Sequence, residues 1–431
     1  MFEKELSKKC INSLLNSGVD KAQAALASSE KYEMNVAAGE INLLRTVFDT
    51  KVGFTVIKDG KKGSVNINKT DKESISDAIS VINELCNTAE VDEANDISPN
   101  QPAKEFKVGD DTPNLDGMYE LLKNFTAAVK EKYPKIVLEE VYFDFVHTLE
   151  EFANSNGVAF KASKGMYNFV AMFTAKEGEK ASSFNYTGYS STTLDKELLD
   201  CGTIDNLLRQ STEQLNTVPF EGKFQGDVII TPDCLGDMIY YYVDSFLSDM
   251  ALISGSSILK DKLNSKVASE KLTIHSKPVS EEIADGYFVT SEGFEAENST
   301  IIDKGILKTF MLSQYGANKT KRERAVNSGG AYVVEPGDKS FEEMVKSIDK
   351  GILLCRFSGG NPSANGDLSG VAKNSYYIEN GEIKYPISET MISGNLYEMF
   401  NNIKGISRER ISFGNAVLPW ICVSDVVVSG K

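Results

Sequence analysis

Histidine is almost missing from this sequence: in 431 residues only His147 and His275 occur, far apart and outside any ligand-spaced motif. A catalytic triad needs an imidazole beside its nucleophile, and a histidine-based zinc site needs several around one ion. The chain therefore cannot assemble a histidine-based metal-hydrolase site or a Ser-His-Asp site by itself. Cysteine does not fill the gap. Cys10, Cys86, Cys201, Cys234, Cys355 and Cys422 are scattered without a C-x-x-C pair, which predicts reduced, mostly buried thiols rather than a disulfide frame or a zinc knuckle.

Positive charge is also in short supply, with 46 Lys and Arg against 62 Asp and Glu and a net charge of −16. Binding a nucleic-acid backbone requires a basic face that displaces condensed counterions. The nearest thing to one, Lys319, Lys321, Arg322 and Arg324, is interrupted by Glu323 and reads as a solvated surface segment. Nucleic acid is excluded as a partner. Long apolar runs are lacking too. No stretch approaches the ~18 residues of a membrane span, and the opening Phe2-Glu3-Lys4-Glu5-Leu6 does not resemble a signal peptide. The expectation is a cytoplasmic protein without a membrane anchor, in which Asn298-Ser299-Thr300 matches a glycosylation acceptor by chance.

What is present suits a folded, well-solvated protein: 41% hydrophobic and 25% charged residues, with 22 Phe and 17 Tyr. The length predicts two domains. Leu6, Cys10, Ile11, Leu14 and Leu15 share a helical face, after which alternation in Tyr32, Met34, Val36 and in Val52, Phe54, Val56 predicts strands. Asp59-Gly60 signals a hairpin, and Thr70 with Glu73 reads as a capping box before a helix carrying Ile75, Ile79 and Ile82. Periodicity lapses over residues 87–114, with Pro99, Pro102 and Pro113, which reads as a surface linker or long loop. A helix through Met118 to Val129, strands near 136–149 and 158–175, and a helix near 194–215 follow.

The pattern restarts after Pro219 with Asp227-Val228-Ile229-Ile230 and a helix bearing Leu235, Met238, Ile239, Tyr242 and Phe246. Hairpins are expected across Asp303-Lys304-Gly305 and Asn380-Gly381, and an apolar strand from Ile421 to Val428. The reading is an α+β protein with a domain over 1–220 and another over 221–431, each of mixed, mostly antiparallel sheet with flanking helices.

Residue chemistry alone offers no self-evident active site. The Gly-rich stretch Ser358 to Asp367 lacks the Gly-Lys-Ser/Thr ending of a phosphate loop and the context of a dinucleotide fingerprint. Cys355 and Cys422 follow apolar runs and read as core residues, and both histidines as packing or edge residues. Asp237 and Asp244 share a helical face, a pairing that 62 acidic residues make unavoidable.

An ordered set of landmarks adds information. Gly255-Ser256-Ser257 precedes Val267-Ala268-Ser269, then Ile302-Asp303-Lys304-Gly305-Ile306-Leu307, Asn365-Gly366-Asp367-Leu368-Ser369-Gly370, Tyr377 to Ile383, Ser393-Gly394-Asn395-Leu396 and Val426 to Gly430. In this the segment from Asp227 to Lys431 resembles the TldD/PmbA (TldE) family, once labelled modulators of DNA gyrase. Gly39-Glu40, Arg45, Gly53-Phe54 and Asn154-Ser155-Asn156-Gly157-Val158 extend the resemblance towards the N-terminus.

Metal-bearing members carry His-Glu-x-x-x-His on the helix after the first C-terminal strand. Counted without gaps from Val267-Ala268-Ser269, those positions fall here on Tyr240, Tyr241 and Ser245. Two are poor zinc ligands, and a tyrosine is no carboxylate base. The cysteine ligand that such members place shortly before Gly-x-x-x-Pro, here Gly414 to Leu418 with Pro419, has no counterpart near Gly405-Ile406-Ser407.

The resemblance therefore implies the PmbA/TldE type: no catalytic residue and no cofactor in this chain, and a TldD-like metalloprotease partner that holds zinc. The pair would act on unfolded peptides, in maturation or proteolysis, and the isolated chain could be a monomer or a homodimer. Ser254, Gly255, Ser256, Ser257, Asn361 and Asp367 are the expected chamber-lining residues. The rival readings are a stand-alone peptide-binding or assembly protein and a metal-free hydrolase with its own nucleophile.

Overall fold

Apolar and polar residues alternate over unusually long stretches of the first half, and long strands result. A computed structural model describes residue 3 and residues 5–37, 39–388 and 390–430. Met1, Phe2 and Lys4, part of the opening stretch read for a leader, lie outside the described residues. The first sheet contains β1 (Lys21–Ala37), β2 (Glu40–Lys58), β3 (Lys61–Ile67), β4 (Lys104–Val108), β5 (Ile136–Asn154), β6 (Ala159–Glu177), β7 (Lys180–Ala181) and β8 (Asn185–Ser191). Its order is β3-β2-β1-β5-β6-β4, with β7 and β8 also on β6, and only the β4–β6 pair is parallel among the described pairings.

Helices cover one face of this sheet. On it, α1 (Leu6–Asn16) and α2 (Lys72–Thr88) enclose Leu26, Val52 and Phe54 at one end. At the other, α3 (Leu115–Lys132) and α4 (Ile204–Glu213) pack on Met34, Phe143 and Phe169. The opposite face is polar over its middle, while towards the end of β5 its Phe152 and Phe160 pack with Phe106 and Val289. In the polar middle Lys31 pairs with Glu33 at 2.7 Å and with Asp144 at 3.0 Å, and Arg45 pairs with Glu33 at 2.9 Å.

Three local expectations need correction. The helix expected from a Thr70 and Glu73 capping box starts one residue later, because the Asp71 carboxylate accepts from the Ser74 amide at 2.9 Å and the Ser74 hydroxyl at 2.8 Å. The helix expected near 194–215 is broken: Leu198–Asp200 forms a 3-10 turn, α4 starts at Ile204, and another 3-10 turn covers Gln214–Asn216. Residues 87–114 are irregular over 89–103 and 109–114 but not throughout: α2 runs to Thr88, β4 joins the sheet, and within the irregular part the fully buried Ser98 accepts from Asn154 at 2.9 Å.

The second sheet is larger. It contains β9 (Val218–Pro219), β10 (Lys223–Ile230), β11 (Ile274–Ser276), β12 (Ser299–Asp303), β13 (Ile306–Leu307), β14 (Tyr332–Val334), β15 (Lys350–Leu354), β16 (Arg356–Gly359), β17 (Asp367–Lys373), β18 (Tyr376–Glu379), β19 (Glu382–Ser388), β20 (Met391–Asn395), β21 (Ile403–Ser412) and β22 (Val417–Ser429). Most pairs are antiparallel, and β22 alone contacts β10, β14, β20 and β21. Asp59-Gly60 and Asn380-Gly381 take positive φ at both positions, which makes the two-residue hairpin turns that their sequences signal. Lys304-Gly305 joins β12 and β13 by the same device.

Polar contacts tie the sheets together: Lys104 pairs with Glu295 at 2.7 Å, the Gln101 amide donates to the Gly293 carbonyl at 2.8 Å, and the Tyr315 hydroxyl donates to Asp92 at 2.9 Å. No described helix is long and apolar enough to cross a membrane.

Candidate functional site

The helix that follows β10, α5 (Pro232–Leu247), is the spine of the second unit. Proline suits its first position because the amide there has no intrahelical acceptor. Leu235, Met238, Ile239, Tyr242 and Phe246 are buried against β22 and its neighbours. Tyr242 fixes the register: its hydroxyl donates to the Val267 carbonyl at 2.9 Å, and its ring stacks on Phe400 at 4.8 Å and meets Phe246 edge-on at 5.1 Å. This burial turns Asp233, Asp237, Tyr240 and Asp244 towards the other side of the helix.

The start of α5 opens into a cavity of about 560 Å³ between the two sheets. From α5 come Asp233, Cys234 and Asp237, and from β8 come Asn185, Tyr186 and Thr187. Cys355, Arg356 and Asn374 supply another wall, and Asp285, Tyr287, Tyr332 and Phe413 close it.

Charge in the cavity is mostly negative. Burial raises the Asp233 carboxyl to about 6, against the opposing hydrogen bond from Thr203, whose hydroxyl donates to it at 2.5 Å. Burial also raises Asp237, with Arg356 acting the other way. Asp285 is engaged by Lys164. The Arg356 guanidinium lies 4.7 Å from the Tyr186 ring centre and donates to the Phe184 carbonyl at 2.9 Å. Asn374 is 3% exposed and adopts φ +53°, yet neither its amide nitrogen nor its amide oxygen has a hydrogen-bond partner in the protein.

The thiols here are not poised as nucleophiles. Cys234 and Cys355 are buried, and burial pushes both well above the usual thiol range. Cys422, away from the cavity, is raised to about 12 by burial. Neither histidine is at hand: His147 bonds Ser163 at 3.0 Å in the first sheet, and His275 bonds Thr300 and Glu335 at 2.9 Å in the second.

Of the positions that the zinc motif would occupy, Tyr240 is 59% exposed, Tyr241 is half-buried beside it with ring centres 6.1 Å apart, and Ser245 follows one turn on. Burial raises the Tyr241 phenol, and Asp237 adds to the effect. Among the described residues no group of three or more His, Cys, Asp or Glu is placed to hold a metal ion. This donor set does not fit zinc.

The expected chamber residues gather elsewhere. Ser254, Gly255 and Ser256 form an exposed turn in which Ser254 caps the Met250 carbonyl at 2.6 Å. Ser257 is buried and donates to the Phe246 carbonyl at 2.6 Å. Asn361 and Asp367 are exposed, and Asp367 accepts from Asn365 and Asn395 at 2.9 Å. Gly366, between these, lies so close to Phe246 that a Cβ would sit 2.7 Å from its ring. Both segments thus meet the far end of α5, ~24 Å along a helix of 16 residues from the cavity at its start. None of the six lines that cavity. Asp233, Arg356 and Asn374 went unnoticed in the sequence because they come from separate segments without a shared motif.

Residues 222–430 match the family described as "PmbA/TldA metallopeptidase C-terminal domain", and residues 22–85 match "PmbA/TldA metallopeptidase domain 1". The chain is 30% identical over 308 residues to the "Metalloprotease PmbA homolog" of Buchnera aphidicola subsp. Acyrthosiphon pisum, covering 70% of this chain and 68% of that protein. It is 25% identical over 427 residues to "Metalloprotease PmbA" of Escherichia coli O157:H7, covering 93% and 91%. Its fold is similar to that of TldE from Thermococcus kodakarensis, with a TM-score of 0.82, 19% identity, and coverage of 99% and 100%.

Proposed function

The chain belongs to the PmbA/TldD metallopeptidase family, and from that premise we propose that it is the metal-free subunit of a cytoplasmic TldD/TldE-like peptidase acting on unfolded peptides. The observation that carries the reading is the outer side of α5, where the positions of the family's zinc motif hold Tyr240, Tyr241 and Ser245, a donor set that does not suit zinc, on the same helix whose start lines the cavity. A TldD-like partner supplies the zinc, the base and the activated water, while this chain supplies enclosure and part of the peptide wall. On this reading residues 1–220 and 221–431 are two domains that frame the wall between them.

The polar face of the first sheet supports a peptide wall. Lys31, Glu33, Arg45 and Asp144 make the middle of that face hydrophilic, the kind of surface on which an extended peptide can be laid. A metal-free hydrolase is disfavoured by the buried thiols of Cys234 and Cys355 and by two histidines that lie outside the cavity.

The test is an assay of casein or an unfolded peptide with each protein alone, with the pair, and with the pair under chelation. Cleavage is expected from the untreated pair. Robust cleavage by this chain alone, insensitive to chelator, would overturn the reading.

A further inference from the structure

We propose that the cavity at the start of α5 is a recognition site for a basic side chain, a guanidinium or ammonium group carried by a peptide. The proposal rests on the reading of the chain as a peptide-binding subunit and names the feature of the peptide that it selects.

The first observation is charge without a partner. Of the three carboxylates at the cavity, Asp285 is engaged by Lys164. Neither Asp233 nor Asp237 has a Lys, Arg or His within 4.0 Å among the described residues. Arg356, the cation on the lining, is committed to the Tyr186 ring and the Phe184 carbonyl; its charge reaches Asp237 without forming an ion pair, and no cation acts on Asp233. Asp233 receives a neutral hydroxyl from Thr203. A carboxylate so enclosed is stabilised when a cation joins it.

The second observation is independent of charge. Asn374 is 97% buried by its 3% exposure, lines the cavity, and has neither amide atom paired with protein. Its position is not the accident of a loose loop. The neighbouring Ser375 is fully buried and accepts from the Cys355 amide at 3.1 Å while donating to the Lys373 carbonyl at 2.8 Å, which fixes the turn. An Asn side chain presents an acceptor for a cationic N–H and a donor for a peptide carbonyl, so a single residue can hold both the basic group and the backbone that carries it.

Shape and polarity agree. Besides Tyr186, which Arg356 occupies, the rings of Tyr287, Tyr332 and Phe413 and the apolar side chains of Leu207 and Leu418 line the cavity, which suits a charged head on a long aliphatic stem. The N-terminus of α5 would by itself favour an anion, but Asp233 stands in its first turn and Asp237 one turn on, so an incoming carboxylate or phosphate meets like charge.

The experiment is calorimetric titration of the full-length isolated chain with acetylated, amidated pentapeptides Gly-Gly-X-Gly-Gly in which X is Arg, Lys, norleucine or Glu, and with arginine amide alone. Wild type, Asp233→Asn, Asp237→Asn and Asn374→Gly are compared, the last because glycine accepts the positive φ. Native folding is checked by circular dichroism. The Arg and Lys peptides should bind at least tenfold more tightly than the norleucine and Glu peptides, and Asp233→Asn or Asn374→Gly should remove most of that preference. Equal binding of all four peptides, or preference unaltered in folded variants, overturns the basic site and leaves the peptide wall standing. Binding of arginine amide that Asp233→Asn weakens, without binding of any peptide, supports the cation site and overturns the peptide reading. No binding by any probe overturns the proposal.

Discussion

The hydroxyl of Thr203 donates to Oδ1 of Asp233 at 2.5 Å, joining the residue that precedes α4 to the first turn of α5. Thr187 on β8 extends the link, its hydroxyl 3.4 Å from that of Thr203. One neutral donor offsets part of the cost of enclosing the carboxylate but does not remove it, and burial holds Asp233 at about 6.

Asp233 should therefore make stability depend on pH. Its folded value lies above the ordinary 3.8, so its contribution is fully present below pH 3.8 and is lost as pH rises through about 6. Asp233→Asn, which cannot ionise, should gain on the native protein over that window, by up to roughly 3 kcal/mol at neutral pH. Urea denaturation at pH 4.5 and pH 7.5 measures the gap. The same gap at both values would show that Asp233 does not titrate in this range.

All six cysteines are free and buried. Thiolate is the reactive form, and burial disfavours it at Cys234, Cys355 and Cys422. An aromatic disulfide reagent at pH 8 should react substoichiometrically with native protein and with every thiol after denaturation. A fast native phase traced to Cys234 or Cys355 would contradict this.

Tyr242 separates packing from hydrogen bonding. Tyr242→Phe leaves the Val267 carbonyl with its second donor, Asn401 at 3.2 Å, so the loss should be about 1 kcal/mol. Tyr242→Ala also removes the ring between Phe246 and Phe400 and should cost roughly 3–5 kcal/mol. Denaturant midpoints of the two variants give the comparison.

Purified without an affinity tag, the isolated chain should retain no stoichiometric zinc, because Tyr240, Tyr241 and Ser245 do not make a ligand set. Metal analysis after dialysis against chelator decides it, and a full equivalent that survives would refute the expectation.

Despite the gyrase label once given to its relatives, the protein should not bind duplex DNA at physiological salt, since its net charge is −16. Fluorescence anisotropy is sufficient; micromolar affinity that falls steeply with added salt would reveal a basic surface.

Local chemistry made parts of this fold legible. Asn380-Gly381 and Asp59-Gly60 encode their turns in two residues each, and the spacing of Leu235, Met238, Ile239, Tyr242 and Phe246 encodes the buried stripe of α5. Competition among neighbours was harder to read: Asp71 displaces Thr70 as the cap because a carboxylate is the stronger acceptor. The cavity was beyond local reading. Asp237 was visible as a helical acid, but in the company of Asp244, whereas the fold places it on a cavity with Asp233, Asn374 and Arg356. That grouping depends on the pairing of β16 with β17 and on how the two sheets meet, and neither relation is written in a single segment.

The many partners of β22 impose an order on biosynthesis. Lys223 at the start of β10 pairs with Ser429, and β14, β20 and β21 lean on the same strand. Of the strands in the second sheet it is the last to leave the ribosome, so helix α5 and the apolar faces around it must wait, incompletely covered, until translation of this segment ends. Ribosome-stalled chains lacking residues 417–429 should therefore be protease-sensitive across the second sheet while the first sheet, built from earlier strands, is already resistant.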